Sequence, residues 1–358
     1  MKILQILPCL AYGDAIGNDT IALDGAMKEM GYEAEIYAEA IDKRLPKSIA
    51  KTMNQWVEPE KDDIIIYHLA VGWSYVSYIE KANCRKIAIY HNITPAHFYK
   101  GYSDAAYRAC SLGIAEVKQL RNVFDYCLAD SEFNKQELIN YGYKCRVDVL
   151  PVLISFEDYY QKPTQSIIKK YNRRGTNIIF VGRVVPNKKH EDLIAAFYYY
   201  KKFFDPYARL FLVGACPKGD LYGMRLKDYV KKLNLKDVYF TDHIAFKDIL
   251  AYYKLADLFL CMSEHEGFCV PLVEAMTFNV PILAYDSCAI KWTLGGSGIM
   301  FQEKKFVEIA VLMNRIITDQ ELRKQIIEGQ KQRLKDFDNM EVKKMFEKYL
   351  HEFIEGSL

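Results

Sequence analysis

Ser263-Glu-His-Glu-Gly-Phe-Cys-Val-Pro-Leu-Val-Glu-Ala-Met276 lies between two apolar runs, Leu258-Phe-Leu-Cys-Met262 and Val280-Pro-Ile-Leu-Ala284. The order reads as strand, polar turn, short helix, strand, the layout of a parallel α/β sheet. Pro271 suits the first turn of a helix, where its missing N–H is not needed. A glycine turn ahead of a helix N-terminus leaves backbone N–H groups free beside a partial positive charge, a natural seat for phosphate. Glu266 and Glu274 flank this seat with seven residues between them. Carboxylates repel phosphate and are better suited to accept hydrogen bonds from sugar or ribose hydroxyls. Phosphate seat plus hydroxyl acceptors points to a nucleotide-sugar site.

Working outward, the second half opens with the strand Asn177-Ile-Ile-Phe-Val181 and continues through strands at 209–213, 238–240, 258–262 and 281–284. Helical patterns at 190–204 and 221–233 fill the gaps, and from Lys305 the pattern is all helix, ending in 341–354. The first half alternates in the same way, with strands at 2–7, 33–37, 64–68, 86–90, 126–129 and 146–150 and helices at 20–30, 105–124 and 134–141. Such alternation implies parallel sheets covered by helices on both faces. The stretch 151–175 has no clear period and is expected to link two doubly wound domains, 1–160 and 161–338, with a ligand cleft at their strand C-terminal ends.

Composition narrows the function. A chain of 358 residues is long for one core. A net charge of +2 argues against nucleic-acid binding driven by bulk charge. No apolar run approaches the roughly 20 residues needed to cross a bilayer. Nine cysteines, none in a CxxC pair and most within apolar runs, favour a reducing, cytoplasmic setting. The lone Asp-x-Asp, Asp336-Phe-Asp338, stands three residues ahead of Glu341 at a helix start, so an N-cap is preferred to a metal site.

Gly182-Arg-Val-Val-Pro-Asn-Lys188 follows the strand that opens the second half, at the end where parallel sheets bind ligands. Arg183 offers a bidentate fork and Lys188 a point charge, a pair suited to a diphosphate. Standing alone, the loop also reads as a solvated basic turn.

These two elements together resemble the family 4 retaining glycosyltransferases of the GT-B fold. The resemblance covers most of the second half, continuing through Thr241-Asp-His243, Tyr252–Asp257 and Thr293-Leu-Gly-Gly-Ser-Gly298, and extends weakly to Tyr90-His91-Asn-Ile-Thr-Pro95 and Ala129-Asp-Ser-Glu132. It implies two Rossmann-like domains with the C-terminal helix (339–358) returning to the first. It implies that Arg183 and Lys188 bind the nucleoside diphosphate and steady it as leaving group. Glu266 would touch the donor sugar, Glu274 the ribose hydroxyls, and the backbone of Phe268, Cys269 and Val270 the sugar and phosphates, with Gly182 and Gly267 at the same turns. His91 matches a histidine facing the donor sugar. The family implies no protein nucleophile, no metal and no cofactor beyond the nucleotide-sugar substrate. This chain departs from the family where Gly-Leu is usual and Cys269-Val270 stands, and where Pro-Glu is frequent and Lys291-Trp292 stands.

The first half offers the acceptor side. Gly13-Asp14-Ala-Ile-Gly17-Asn18 is not a dinucleotide fingerprint. Asp14 and Asn18 read equally well as hydroxyl binders and as a glycine turn with a helix cap. His68, ending the third strand, is expected on the same rim. Trp73, Tyr75, Phe98, Tyr99 and Tyr102 could stack on sugars or pack a core. Lys100, Arg108, Lys118 and Arg121 are compatible with docking to an anionic membrane surface bearing a lipid-linked acceptor, though a solvated helix face explains the same charges. The sequence therefore points to transfer of a sugar from a nucleoside diphosphate to a saccharide or lipid-linked acceptor in cell-surface polysaccharide assembly. A nucleotide-sugar epimerase and an inactive sugar-nucleotide-binding scaffold are the alternatives.

Overall fold

The computed structural model describes residues 1–357. Packing divides the chain into two units: Met1–His97, Asp104–Ser155 and the residues from Asp336 onward form the first, while Phe98–Ser103 and Phe156–Lys335 form the second.

The first unit contains β1 (Lys2–Leu10), α1 (Ala15–Glu29), β2 (Glu33–Ile41), β3 (Lys51–Thr52), β4 (Ile64–Leu69), α2 (Val76–Lys81), β5 (Arg85–Tyr90), α3 (Asp104–Gln119), β6 (Tyr126–Ala129), α4 (Glu132–Asn140) and β7 (Arg146–Val149). All seven strands are parallel in the order β3-β2-β1-β4-β5-β6-β7. Every residue of β4 is buried, as expected of a central strand covered on both faces. Helix α1 begins five residues before the expected start. Gly17 permits this, because a Cβ there would stand 2.7 Å from the Ala11 carbonyl oxygen.

The second unit contains α5 (Gln165–Tyr171), β8 (Asn177–Val181), α6 (His190–Phe203), β9 (Arg209–Val213), α7 (Leu221–Lys232), β10 (Val238–Phe240), α8 (Phe246–Leu255), β11 (Leu258–Cys261), α9 (Val270–Thr277), β12 (Ile282–Tyr285), α10 (Ile290–Leu294), β13 (Ile299–Phe301), α11 (Phe306–Thr318) and α12 (Gln320–Leu334). Its parallel sheet runs β10-β9-β8-β11-β12-β13. The chain winds outward from β8 to one edge, then returns to β11 and winds to the other. The β8–β11 gap is therefore the switch point where open α/β sheets bind ligands. Register pairs Leu258 with Ile178 and Phe259 with Ile179, so the two strands end level.

The expected linker 151–175 is corrected. It contains α5, whose Tyr171 is buried against Phe211 and Tyr239, and Thr164 hydrogen-bonds Asp248 of α8 at 2.6 Å. Gln165, Ser166, Lys169 and Lys170 form its exposed face, which hides the helix in the sequence.

The last helix, α13 (Asn339–Glu355), belongs to the first unit. Val342, Phe346, Leu350 and Phe353, at helical spacing, join the core of Ile3, Leu23, Ile64 and Tyr126. Asp338 caps it by accepting from the N–H groups of Met340 and Glu341, and Arg85 donates to the carbonyls of Phe353 and Ile354 at its other end. No described helix is long and apolar enough to cross a membrane.

Candidate active site

At the end of β8 the Gly182 N–H donates to Val213 O at 2.9 Å. A Cβ on Gly214 would stand 2.1 Å from the Gly182 carbonyl oxygen, so glycine is required there for the turn to close. The chain crosses Arg183, makes one 3-10 turn over Pro186–Lys188 and enters α6 through Lys189, which is left-handed at φ 52°.

This turn is fastened to the segment after β11. Glu264 N donates to Asn187 O at 2.8 Å, and the buried Asn187 side chain donates to His265 O at 3.0 Å. Lys188 Nζ lies 2.5 Å from both carboxylate oxygens of Glu266, with little of either side chain exposed. Burial acts against the Lys188 charge, but Glu266 outweighs it and raises the ammonium above its ordinary range. An ammonium has three donors, so a pair held on one carboxylate still leaves capacity for an anion. Arg183 is exposed, and no ion pair engages it among the described residues. His190, fully buried beside Lys188, is held down to about 3 by burial and by the lysine charge, and is therefore neutral.

Beyond Glu266, Phe268 is buried and Cys269 caps α9 at φ 73°, a left-handed position that favours glycine. Here lies the departure at Cys269-Val270. The thiol is accommodated by burial beside Cys261, and the hydrogen bond between them, with burial, pushes the Cys269 thiol well up. Thr293 Oγ1 donates to Phe268 O, tying α10 to the turn. Glu274 accepts from Tyr253 at 2.6 Å and Tyr159 at 3.1 Å, and burial raises its carboxyl despite both bonds. Two of its roughly four acceptor sites stay open.

The sequence reading did not find one further group. Lys304 Nζ lies 2.7 Å from Asp192, 2.7 Å from Glu264 and 3.2 Å from Met262 O, while Lys189 pairs with Glu264 at 3.1 Å. Glu264 sits inside the opening motif, but Lys304 follows β13, a three-residue strand too short to show a period. Tyr159 and Tyr253 were likewise invisible as partners of Glu274. A separate cavity of about 630 Å³ lies between α6, α7 and the start of α11, away from this turn.

In the first unit, Gly13 is left-handed at φ 73° and Asp14 is the N-cap residue of α1 without a side-chain capping bond. Asn18 is exposed on the helix rather than in the loop. His68 is fully buried within β4, and His91 is buried after β5. Both His91 ring nitrogens are engaged, Nδ1 with Asp130 at 2.9 Å and Nε2 with His68 Nδ1 at 2.8 Å. Trp73 is 2% exposed and stacks on Tyr67, which makes it core. Phe98 and Tyr102 pack with the second unit, against His265 and Tyr222. Asp19, His68 and His91 bring three donor atoms within 4.8 Å of one another. Two nitrogens on one tetrahedral zinc stand about 3.3 Å apart. The 2.8 Å between these rings holds a hydrogen bond instead.

Residues 162–333 match the family model of the Glycosyl transferases group 1. The match lies within the second unit and covers just under half of the chain, and the two doubly wound sheets are those of the GT-B fold. The chain is 32% identical over 122 residues to mannosylfructose-phosphate synthase of Agrobacterium fabrum, covering 33% of this chain and 27% of that protein. It is 26% identical over 164 residues to the serotype-specific mannosyltransferase WbdA of Escherichia coli, covering 46% of this chain and 20% of that one. The chain therefore spans only 27% and 20% of the length of these two curated relatives. Among solved structures, HepE of Anabaena in complex with UDP-glucose superposes with a TM-score of 0.75 at 19% identity, over 98% of this chain and 99% of that one.

Proposed function

We propose that this protein is a retaining, metal-independent glycosyltransferase that moves a sugar from a nucleoside diphosphate to a saccharide or lipid-linked saccharide acceptor in cell-surface polysaccharide assembly. The observation that carries the reading is the junction at the β8–β11 switch point. Exposed Arg183 and the Lys188–Glu266 pair stand there on adjoining strand ends, ahead of the N-terminus of α9. The group 1 domain match and the mannosyltransferase relative support sugar transfer, and the UDP-glucose complex of the Anabaena protein supports a nucleotide-sugar donor.

In this reading the bond from the anomeric carbon to the diphosphate breaks, and negative charge builds on the departing oxygen. Arg183, Lys188 and the helix N-terminus stabilise that charge. The acceptor hydroxyl forms the new bond on the same face and passes its proton to the leaving phosphate. Glu266 holds Lys188 and a donor hydroxyl. Glu274, oriented by Tyr159 and Tyr253, accepts from the ribose. Docking at an anionic membrane face belongs to the same proposal, with Arg108, Lys118 and Arg121 of the first unit as its candidate contacts.

Thermal-shift measurements with UDP, GDP, dTDP and ADP and their sugars test the donor site. A ligand at 100 times its Kd adds about 2.7 kcal/mol. Stabilisation by at least one of the four is expected, and no shift with any of them would overturn the reading. Turnover should survive exhaustive chelation; dependence on added Mn²⁺ would overturn the metal-independent part.

A further inference from the structure

The first unit contains a buried polar chain whose hydrogen atoms can be placed one by one. Gln5 Nε2 donates to the Thr20 carbonyl at 3.0 Å, which fixes the amide and leaves Gln5 Oε1 as an acceptor. That oxygen lies 3.0 Å from His68 Nε2, so Nε2 carries a hydrogen. Burial and the neighbouring His91 hold His68 well below the ordinary histidine range, so it is neutral and its Nδ1 is a lone-pair acceptor. His91 Nε2, 2.8 Å from that Nδ1, must be the donor. His91 Nδ1 faces the Asp130 carboxylate at 2.9 Å and donates there as well. The two rings are nearly coplanar, with 3° between their planes and 5.1 Å between centroids, the geometry of an in-plane N–H···N bond.

Both His91 nitrogens therefore bear hydrogen, and the ring is an imidazolium. The charged and titratable groups around it come from several elements: Asp14 and Asp19 at the start of α1, His68 on β4 and Asp130 after β6. Burial works against the cation, but the charges of Asp130, Asp19 and Asp14 outweigh it and raise His91 above its ordinary value. From α4, Asn134 donates to Tyr90 O, and Glu137 accepts from Asn92 Nδ2 and from the Tyr90 hydroxyl, its carboxyl pushed up to about 7 by burial. The second Asp130 oxygen is buried without a partner, so Asp130 has only His91 to neutralise it.

We infer that Asp130 and His68 hold His91 as an imidazolium of fixed orientation at the C-terminal end of β5, and that they are positioning residues for the transfer reaction. The inference rests on the transferase reading for its role, though not for the protonation state. With its side chain 1% exposed and both edges committed, His91 has no lone pair and no unengaged N–H to offer a hydroxyl in this arrangement.

The test is ¹⁵N NMR of the full chain at pH 7, with kinetics alongside. His91 should show two protonated ring nitrogens and a titration midpoint above about 6.5, and His68 should be the neutral Nε2–H form. Asp130→Asn should leave His91 neutral. It should also lower kcat by roughly 10- to 100-fold, at or below the loss for one direct stabilising donor, with nucleotide affinity kept. His68→Gln, which can turn its carbonyl toward His91 and its amide toward Gln5, should keep the imidazolium. A neutral His91 in the unaltered chain, an imidazolium indifferent to Asp130→Asn, or uptake of Zn²⁺ with loss of a ring proton would each overturn the inference. If no nucleoside diphosphate binds, the transferase reading fails while the NMR result still decides the protonation state.

Discussion

Lys188 and Arg183 carry the same charge five residues apart, yet their surroundings give them different work. Removing Lys188 leaves Glu266 buried without a counter-charge, so Lys188→Ala should cost about 3–5 kcal/mol of stability, measured by urea denaturation. Arg183 has no such partner, and Arg183→Ala should stay within about 0.5 kcal/mol of the parent. The same Arg183 variant should weaken nucleoside diphosphate binding roughly 10- to 100-fold. Equal stability losses in the two variants would contradict this division. Cys269→Gly releases the left-handed backbone but loses a buried thiol, and a net change under about 1 kcal/mol is expected. At this scale the sequence showed which residues carry charge and which turns hold them, because spacing reveals both. Pairing was hidden. Nothing in a linear chain says that Lys188 lies on Glu266, that two tyrosines reach Glu274, or that His91 turns inward to His68 and Asp130.

Elements were legible in proportion to their length and contrast. Strands such as Ile64–Leu69 and Asn177–Val181 stand out as continuous apolar runs between turns, and both are central. β3, with two residues, and β13, with three, carry too few positions for a pattern. Helix α5 was masked by its solvent face, and its one buried anchor, Tyr171, is indistinguishable from the chain's other tyrosines until Phe211 and Tyr239 are seen around it. The Asp336-Phe-Asp338 segment was read correctly as a helix start, because a capping aspartate and a following helical stripe are both local signals. Asp338→Ala should therefore lower stability by about 1 kcal/mol and leave nucleotide-induced stabilisation unchanged. A loss of nucleotide response instead would move Asp338 into the binding chemistry.

For the whole molecule, pH is the informative variable. Burial pushes Asp19, Glu116 and Glu137, all in the first unit, up to about 7. In the unfolded chain such groups titrate near 4. Between about pH 4 and 7 the unfolded chain releases protons that the folded chain retains, so these groups make unfolding easier as pH rises. The double variant Glu116→Gln, Glu137→Gln keeps the acceptors and should flatten that decline, read as urea midpoints at pH 5 and pH 8. An unchanged slope would contradict the assignment. The return of α13 to the first unit has a consequence in time as well as in space. The chain emerges from the ribosome N-terminal side first, yet the apolar surface around Ile3, Leu23 and Ile64 waits for Phe346, Leu350 and Phe353. At 5–20 residues per second, the roughly 200 residues made after Ser155 delay that closure by about 10 to 40 s. During that interval the first unit is a nascent domain with an open core, a client for chaperones, while the second can already be complete.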